Sequence, residues 1–404
     1  MNVVLFDDEW RFNLFPLTYT RPAGAIRIGI LTIAEKWATH LNAKVSHKAA
    51  TYLSNKFPAY VEAENIFING RYLPDEALIN AIKNLGKDEM LMDHDKVVAC
   101  TLGKDEAMAF LNDNASLAEH KLVAFTGTMQ HISKCPDIFS MNGSELEKDF
   151  AVITKGRKSA PISATNTVMA PEKVFLEEGA IVECAVLNGS SGPIYIAKDA
   201  EIMEGSLVRG PFSLGEHSQL KLGAKIYGPT TIGPHCKVGG EVNNCVIFGY
   251  SNKAHDGFIG NSVIGEWCNL GADTNTSNLK NNYAEVKLWN YPAEKYLKTG
   301  MQFCGTIMGD HSKCGINTMF NTGTVIGVSA NIFGAGYPRN FIPDFSWGGA
   351  QGFETFSIAK SFEVAKIVFS RRGLVFDEIE QDIMVYVFNE TQKFRTWDNF
   401  PRPV

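Results

Sequence analysis

Residues 196–238 read IAKDAE IMEGSL VRGPFS LGEHSQ LKLGAK IYGPTT IGPHCK V, and every block of six opens on an aliphatic residue. A period of six fits neither the 3.6-residue turn of a helix nor the two-residue alternation of a strand. It indicates a larger repeating unit, in which three successive blocks form one coil of a solenoid. The aliphatic residues are Ile196, Ile202, Val208, Leu214, Leu220, Ile226, Ile232 and Val238.

A second run of the same period follows, and together the two runs predict a parallel β-helix of triangular section with the aliphatic side chains inside. The second run is Met308, Cys314, Phe320, Ile326 and Ile332, with Phe258, Ile264 and Leu270 between the runs. A glycine follows many of these residues, and we expect it to supply unusual dihedral angles at the corners. These glycines are Gly233, Gly239, Gly265, Gly271, Gly309, Gly315 and Gly327. The alternative is a sandwich with coincidental spacing.

Composition narrows the function classes. The net charge is −6, so there is no basic excess for binding nucleic acid. No apolar run is long enough to span a membrane and no signal peptide is recognisable, which predicts a cytoplasmic protein with no membrane partner. The eight cysteines form no CxxC pair, so we expect buried small hydrophobic residues instead of a zinc site or disulfides.

The chain divides into four predicted segments. Residues 1–142 alternate short apolar runs with helices near 30–41, 74–85 and 105–112, which is an α/β pattern. A short helix begins at Met141, and a linker is predicted over 143–167. The β-helix spans 168–345, and helices follow in 346–404. The six-residue rhythm breaks twice, by two extra residues between Val238 and Phe258 and by the polar segment Asn275 to Thr299. Loops inserted in a solenoid project from its wall, where ligands bind.

Three strings carry a family resemblance: KAHDGFIG at 253–260, VIGEWCNLGADT at 263–274, and Asn278-Leu279. They resemble the acetyltransferase half of the GlmU family, the bifunctional N-acetylglucosamine-1-phosphate uridyltransferase and glucosamine-1-phosphate acetyltransferase. The resemblance implies a left-handed β-helix, a homotrimer, and acetyl-CoA bound along the wall between subunits. By position it implies a catalytic base at His255, sugar and acetyl contacts at Asn269 and Asn278, and acetyl-CoA contacts at Ala272, Ile316 and Gly334.

The residue types suit acyl transfer to an amine. A histidine titrates near neutrality and can remove the proton that the attacking amine must lose. Asp273 lies three full blocks of six after His255, so we expect it to stack near His255 and orient it; the alternative is a solvated aspartate. Lys253 and Lys287 are candidates for binding phosphate groups of the substrate, and solvated lysines explain them nearly as well.

The acceptor stays open because this chain departs from the family around the sugar. Phe258, with Leu279, stands where the family has a lysine and a tyrosine, and Phe258 is therefore a candidate substrate contact. Asn243 or Asn244 stands in the same region. The resemblance thus leaves a sugar phosphate or a nucleotide-linked amino sugar as the acceptor.

The string LFDDEWRFNLFPLT at 5–18 resembles a distorted signature of sugar nucleotidyltransferases, with an acidic loop in place of a glycine-rich one. FINGRYLP at 67–74 resembles the strand whose aspartate holds magnesium, but Arg71 stands at that position. A cation cannot ligate magnesium, so we expect neither magnesium nor another metal, and an altered domain about a third shorter than its relatives. The candidates for binding a sugar phosphate or nucleotide there are Arg11, Arg21, Arg27 and Arg71.

Three functions remain. The first is an acetyl-CoA-dependent N-acyltransferase that acts on an amino-sugar phosphate or a nucleotide amino sugar in cell-envelope precursor synthesis. The second is a sugar-1-phosphate nucleotidyltransferase that uses UTP or dTTP. The third is a non-catalytic regulatory or scaffold protein. The intact string from His255 to Asn278 favours the first, and the altered segments 7–18 and 65–74 disfavour the second.

Overall fold

A computed structural model describes residues 2–113 and 120–399. The chain forms two compact units. The first comprises Met1–Leu14, Thr18–Ile26 and Leu31–Lys134, and the second comprises Phe15–Leu17, Arg27–Ile30 and Cys135–Val404. The four-segment division at 142, 167 and 345 stays a prediction.

The first unit is a mixed six-stranded sheet with helices, as the α/β pattern predicts. The strands are β1 (Asn2–Phe6), β2 (Lys44–Lys48), β3 (Glu64–Asn69), β4 (Glu89–Asp93), β5 (Lys96–Gly103) and β6 (Lys121–Ala124). The sheet has the order β2-β1-β3-β5-β4-β6, with β1 parallel to both neighbours and β5 antiparallel to β3 and β4. The helices are α1 (Ile33–Leu41), α2 (Glu76–Lys83) and α3 (Lys104–Leu111). Helix α1 begins at a capping box of Thr32 and Glu35.

Helix α4 (Cys135–Ile153) has 19 residues and belongs to the second unit. The expected short helix from Met141 is therefore wrong in its start and length. Asn142, expected near the start of that short helix, is buried and accepts hydrogen bonds from the Gly29 amide at 2.8 Å and from the Thr231 hydroxyl at 3.0 Å. The helix packs on strands of the β-helix that follows.

The second unit is a parallel β-helix, as the period of six predicts. Its first wall contains β7 (Thr167–Met169), β10 (Val186–Asn188), β13 (Leu207–Arg209), β16 (Lys225–Tyr227), β19 (Glu241–Ile247), β21 (Phe258–Ile264), β23 (Asn275–Thr276) and β28 (Met319–Phe320). The second wall contains β8 (Val174–Leu176), β11 (Ile194–Ile196), β14 (Phe212–Leu214), β17 (Thr230–Ile232), the ends of β19 and β21, β26 (Ile307–Met308), β29 (Val325–Ile326) and β31 (Phe341–Ile342).

The third wall bears the candidate site. It contains β9 (Ile181–Val182), β12 (Glu201–Ile202), β15 (Gln219–Leu220), β18 (Lys237–Val238), β20 (Asn252–Lys253), β22 (Asn269–Leu270), β27 (Lys313–Cys314), β30 (Asn331–Ile332) and β32 (Ser346–Gly349). The antiparallel β33 (Gly352–Thr355) ends this wall. The hairpin β24 (Lys287–Asn290) and β25 (Lys295–Lys298) lies in the polar insertion.

The ladder side chains form one buried core, with two corrections to the expectation from sequence. Ile259, not Phe258, points inward on the first wall. Lys253 takes the inward position between Val238 and Leu270, because Val238 pairs with Lys253 and Asn252 pairs with Asn269. Both pairings close a coil before three full blocks of six are complete. The coil after Val238 is thus shortened, and the two extra residues expected there are absent.

The glycines that follow the inward residues do not serve the purpose we expected. None of those seven is among the described glycines with positive φ. They are small because the next coil lies close: a Cβ on Gly271 would lie 2.4 Å from the Gly315 carbonyl carbon, and one on Gly327 would lie 2.4 Å from the Asp344 nitrogen. Close packing between coils therefore explains these glycines, whereas non-glycine residues such as His235 and Trp267 take the positive φ at one corner.

That corner carries a column of stacked rings, which continues from His217 and His235 through Tyr250 to Trp267 at centroid distances between 4.2 and 5.0 Å. Helix α5 (Ile358–Ser370) packs on the column, because Phe369 stacks on Trp267 at 4.0 Å. Helix α6 (Glu378–Glu390) follows it. In the part of the chain that the structure describes, no helix is both long and apolar enough to span a membrane.

The cysteines are free, and all except the exposed Cys184 are buried. This agrees with their expected role as small hydrophobic residues. Burial raises the pKa of Cys236 and of Cys245 to about 12, so neither thiol is reactive near neutral pH.

Candidate active site

Turns on four successive coils stack at one edge of the third wall. Asp273 donates its amide to the Asp256 carbonyl at 2.9 Å, and Asn317 donates to the Ala272 carbonyl at 2.8 Å. Strand pairing brings the turn after β30 onto the same column. His255, Ala272, Ile316 and Gly334, which lie far apart in the sequence, therefore share one edge. We call these four residues the edge column.

Three of the four residues of the edge column are exposed. They are His255, Ile316, which is 71% exposed, and Gly334, which has a φ of +98°. Small or apolar residues thus continue along the edge beyond the imidazole. An edge of this kind leaves room for an extended ligand that lies parallel to the axis of the β-helix.

Asp273 does not stack over His255 as predicted. The coil here is one position shorter than three full blocks, since Asn252 pairs with Asn269, and the amide bond above aligns Asp273 with Asp256. The prediction used three full blocks and is therefore wrong by one position. The predicted orienting role has no support in the hydrogen bonds of the described residues.

Lys253 is 2% exposed, so the expected direct contact with substrate phosphate is wrong. Its ammonium donates to the carbonyl oxygens of His255 and Asp256, the latter at 3.0 Å. Burial lowers the pKa of Lys253 to about 8, while Asp256 and Asp273 act against that shift. Lys253 therefore holds the turn that presents the imidazole.

The other predicted site residues lie on different faces. Asn269 points outward from the third wall, in a row with Asn252 and Lys313. Asn278 donates to the side chain of Asn261 at 2.8 Å, beyond the corner on the first wall. Asn269 lies on the same coil as Ala272 of the edge column. The side-chain amide of Asn278 instead binds Asn261.

The polar insertion begins later than its composition suggests. Asn275–Thr276 still forms β23, paired with β28, and the Phe258 amide donates to the Asn275 side chain at 2.8 Å. A hydrogen bond from Cys304 to the Asn278 carbonyl at 2.9 Å closes the neck of the loop. Lys287 begins the hairpin within it and is exposed, and Phe258 is partly exposed on the first wall.

In the first unit, two of the arginines predicted to bind ligands instead pair with aspartates of the acidic loop. Arg71 is 2% exposed and forms two hydrogen bonds to Asp8, at 2.9 and 2.7 Å, while the Asn69 amide donates to Asp8 at 2.8 Å. Burial alone would raise the pKa of Asp8, but Arg71 and Asn69 outweigh it and hold the pKa below its usual range. Arg71 therefore serves as an internal counter-ion, and the expected ligand contact is wrong.

Arg11 is also buried and committed. It forms an ion pair with Asp7 at 3.3 Å and donates to the Thr18 carbonyl at 2.7 Å. Burial raises the pKa of Asp7 to about 6, opposed by the charge of Arg11. Arg21 is 5% exposed and has no open face toward solvent. Neither Arg11 nor Arg21 is placed as a surface anion ligand.

One group of potential metal ligands occurs among the described residues. Asp88, Glu106 and His120 bring their ligand atoms within 4.8 Å of one another. The two carboxylates are exposed, and such groups are common without an ion. At Asp8, each carboxylate oxygen accepts a hydrogen bond from the guanidinium of Arg71.

Comparison with known proteins first gives the class. Residues 3–158 match the family described as sugar nucleotidyl transferase. The N-terminal part of the chain is therefore a sugar nucleotidyltransferase domain, and the chain has distant relatives among bifunctional nucleotidyltransferase and acetyltransferase proteins, as the GlmU resemblance predicts.

The particular relatives are partial matches. A bifunctional sugar-1-phosphate nucleotidylyltransferase/acetyltransferase of Sulfurisphaera tokodaii is 36% identical over 144 residues, which cover 35% of each chain. The bifunctional protein GlmU of Methanococcus aeolicus is 38% identical over 87 residues, 22% of this chain and 20% of that one. The matches thus span about a third and a fifth of the relatives' lengths.

Two solved structures align only weakly. An Arabidopsis UDP-N-acetylglucosamine acyltransferase aligns with a TM-score of 0.25 and 16% identity, over 60% of this chain and 98% of that one. AntD, an N-acyltransferase from Bacillus cereus solved as a variant with dTDP and coenzyme A, aligns with a TM-score of 0.22 and 13% identity, over 51% and 91%.

Proposed function

We propose that this chain is an acetyl-CoA-dependent N-acyltransferase whose acceptor is an amino-sugar phosphate or a nucleotide-linked amino sugar. The supporting observation is the edge column, in which an exposed histidine is followed by small or apolar residues on the next coils. A relative from Sulfurisphaera tokodaii carries a nucleotidylyltransferase/acetyltransferase description, which agrees with this proposal. The proposed location is the cytoplasm. The proposed assembly is a homotrimer of about three times 44.5 kDa, a mass that light scattering measures.

The proposed chemistry assigns one step to His255. The acceptor amine attacks the thioester carbon, and the neutral imidazole takes the proton that the amine loses as the new amide bond forms. The carbon–sulfur bond breaks, and the thiolate leaves and is protonated to the free thiol. Acetyl-CoA supplies the acyl group, and Ala272, Ile316 and Gly334 are the proposed contacts for its extended arm.

The test measures thiol release from acetyl-CoA against a panel of amino-sugar phosphates and nucleotide amino sugars. We expect His255→Ala to lower kcat by about 10²- to 10⁴-fold, the usual contribution of a general base. His94→Ala is the matched control, since His94 is exposed on the first unit and its loss should leave the rate unchanged. Equal rates for wild type and His255→Ala would remove this histidine from the mechanism and favour a scaffold role.

A second function, sugar-1-phosphate nucleotidyl transfer, is favoured by the family match of residues 3–158 and opposed by the Asp8–Arg71 pair. Calorimetry with UTP or dTTP, with and without magnesium, separates the two. We expect no binding that requires magnesium. Micromolar, magnesium-dependent binding with release of pyrophosphate would instead establish a catalytic N-terminal domain.

A further inference from the structure

A cavity of about 480 Å³ lies between the third wall and helix α5. Its floor is a row of outward side chains on neighbouring coils, paired in register across β18, β20, β22 and β27. Its roof is the C-terminal end of α5. The polar residues that line it are Lys237, Asn252, Asn269, Lys313, Arg371 and Arg372.

Contacts on two sides hold the roof over the floor. Phe369 of α5 stacks on Trp267 of the ring column at 4.0 Å, and the Ser361 and Ser329 hydroxyls are 2.6 Å apart. At the cavity itself, Arg372 donates to the Asn252 side chain at 3.3 Å. The cavity is therefore a packed feature of the second unit.

The cavity gathers positive charge without compensation. Its lining carries four cations, and no carboxylate is among the described residues that line it. None of the four cations forms an ion pair with a carboxylate in residues 2–113 or 120–399. Glu216 and Glu266 act electrostatically on neighbouring Tyr250 but do not line the cavity.

The lack of a carboxylate partner affects the pKa of Lys313. Its ammonium donates to the His311 carbonyl at 2.8 Å, and burial lowers the pKa of Lys313 to about 8 because no carboxylate opposes the desolvation. An anion in the cavity would supply the missing counter-charge. Asn252 and Asn269 add amide donors between the two floor lysines.

We propose that this cavity binds the diphosphate group of a substrate. Lys237 and Lys313 are three coil steps apart, roughly 14 Å at about 4.8 Å per step, so together with the two arginines they fit a group longer than one phosphate. Arginine forks match phosphate oxygens, and lysine adds a point charge. The diphosphate has two possible sources, the coenzyme or a nucleotide-linked sugar.

The cavity borders the chain that enters the edge column. Ala254 lines the cavity and His255 follows it in the chain, so the cavity is adjacent to the residue that carries the imidazole. The assignment of the two sources rests on the proposed acyltransferase function. Binding of a diphosphate does not, because it requires only the cavity.

Calorimetry at low ionic strength tests the proposal with four probes: inorganic phosphate, pyrophosphate, coenzyme A and UDP-N-acetylglucosamine. We expect pyrophosphate to bind more tightly than phosphate, and one of the two larger probes to bind more tightly still. The probe that binds best identifies the source. Arg371→Gln should weaken that binding about tenfold, because one charge-assisted contact is lost.

Lys366→Gln is the matched control, since Lys366 is exposed on the same helix and loses the same charge outside the cavity. We expect its affinity to stay within about twofold of wild type. Lys237→Gln tests the floor without touching α5, so the proposal remains testable if an arginine variant unfolds the helix. It too should weaken binding about tenfold.

Three results would overturn the proposal: no saturable binding of pyrophosphate or either larger probe, equal affinity for phosphate and pyrophosphate, or equal loss in Arg371→Gln and Lys366→Gln. His255→Ala separates it from the proposed catalysis. That variant should bind pyrophosphate as wild type does, even if no acyl transfer is found in either protein.

Discussion

Two clusters of charge in this chain differ in how they are satisfied. In the first unit, Asp7 and Asp8 are paired with Arg11 and Arg71 at 3.3 and 2.7 Å. Between the third wall and helix α5, four cations line one cavity with no carboxylate partner among the described residues. Charges that are already paired support the fold, whereas charges left without a partner are free to bind a ligand.

The comparison reverses the expectation from sequence. Arg11 and Arg71, which were expected to contact ligand, are internal counter-ions. The four cations of the cavity were not expected to do so. In this nucleotidyltransferase-type domain, the segments that resemble the family's ligand signature hold ion pairs within the fold. We expect the paired cluster to be structural and the unpaired one functional.

The largest expected effect is on the paired cluster. Arg71→Ala should lower the free energy of unfolding of the first unit by about 3–5 kcal/mol, because it leaves the Asp8 carboxylate partly buried without its partner. Urea denaturation followed by circular dichroism measures the change. The stabilising effect of the pair is present above the ordinary pKa of aspartate and is lost as the pH falls through the lowered pKa of Asp8.

The double variant Asp8→Asn/Arg71→Met is the control for that effect. With both charges removed, no buried charge stays uncompensated, so it should lose less than Arg71→Ala alone. A loss in the double variant equal to the sum of the losses of Asp8→Asn and Arg71→Met, each measured singly, would show that the pair is not coupled. Arg71 would then stabilise the unit through its packing and its bond to the Ile132 carbonyl.

Lys253 is an intermediate case, a buried cation satisfied by carbonyl groups. Lys253→Met keeps the inward apolar stem but removes the hydrogen bonds to the turn that carries His255. If the proposed catalysis holds, kcat should fall about tenfold with KM nearly unchanged, because the imidazole is less well positioned. Steady-state kinetics checks this, and a change in KM alone would argue for a substrate contact instead.

The sequence predicted most of the fold because each inward residue of the β-helix leaves a local apolar signal at a fixed period. It failed where the period changes: the coil after Val238 is shorter, so Lys253 and Ile259 took inward positions that counting in sixes did not give. The same change of register displaced Asp273 from His255. Long-range pairing, not local composition, decides these positions.

The edge column shows what resemblance can contribute. Ala272, Ile316 and Gly334 have nothing in common as residue types, and only the family's motif pointed to them; the structure then places them at one edge. For the two lysines on the third wall, the sequence itself contained a weaker signal. Lys237 and Lys313 each directly precede an inward residue, Val238 and Cys314, and so are expected to point outward on the same wall.

Lys313 of the unpaired cluster should make the free energy of unfolding depend on pH. Because the pKa of Lys313 falls to about 8 in the fold from its ordinary 10.5, the unfolded chain holds more protons between these values, and stability rises with pH there. Six buried thiols with raised pKa oppose this at high pH, so the readout is the difference between wild type and Lys313→Met.

The free energy of unfolding of wild type minus that of Lys313→Met, measured by urea denaturation, should rise by at most about 1.4 kcal/mol per pH unit above pH 8. Saturating pyrophosphate should reduce this gain, since a bound anion raises the pKa of the lysine. A difference that does not vary with pH would show that the Lys313 amine is well solvated in the folded protein, and the cavity would then lack its deepest charge.

The smallest expected effect belongs to a pair that matches Asp8–Arg71 in geometry but not in burial. Arg157 donates to Glu177 at 2.8 Å through one nitrogen and bonds its second oxygen through another, yet the arginine side chain is 47% exposed. Because solvent screens such a pair, Arg157→Gln should cost no more than about 1 kcal/mol, and less at high salt. A loss well above this limit in urea denaturation would mean that the two parallel hydrogen bonds, and not burial, set the strength of ion pairs in this chain. Burial would then no longer explain the difference between the two clusters.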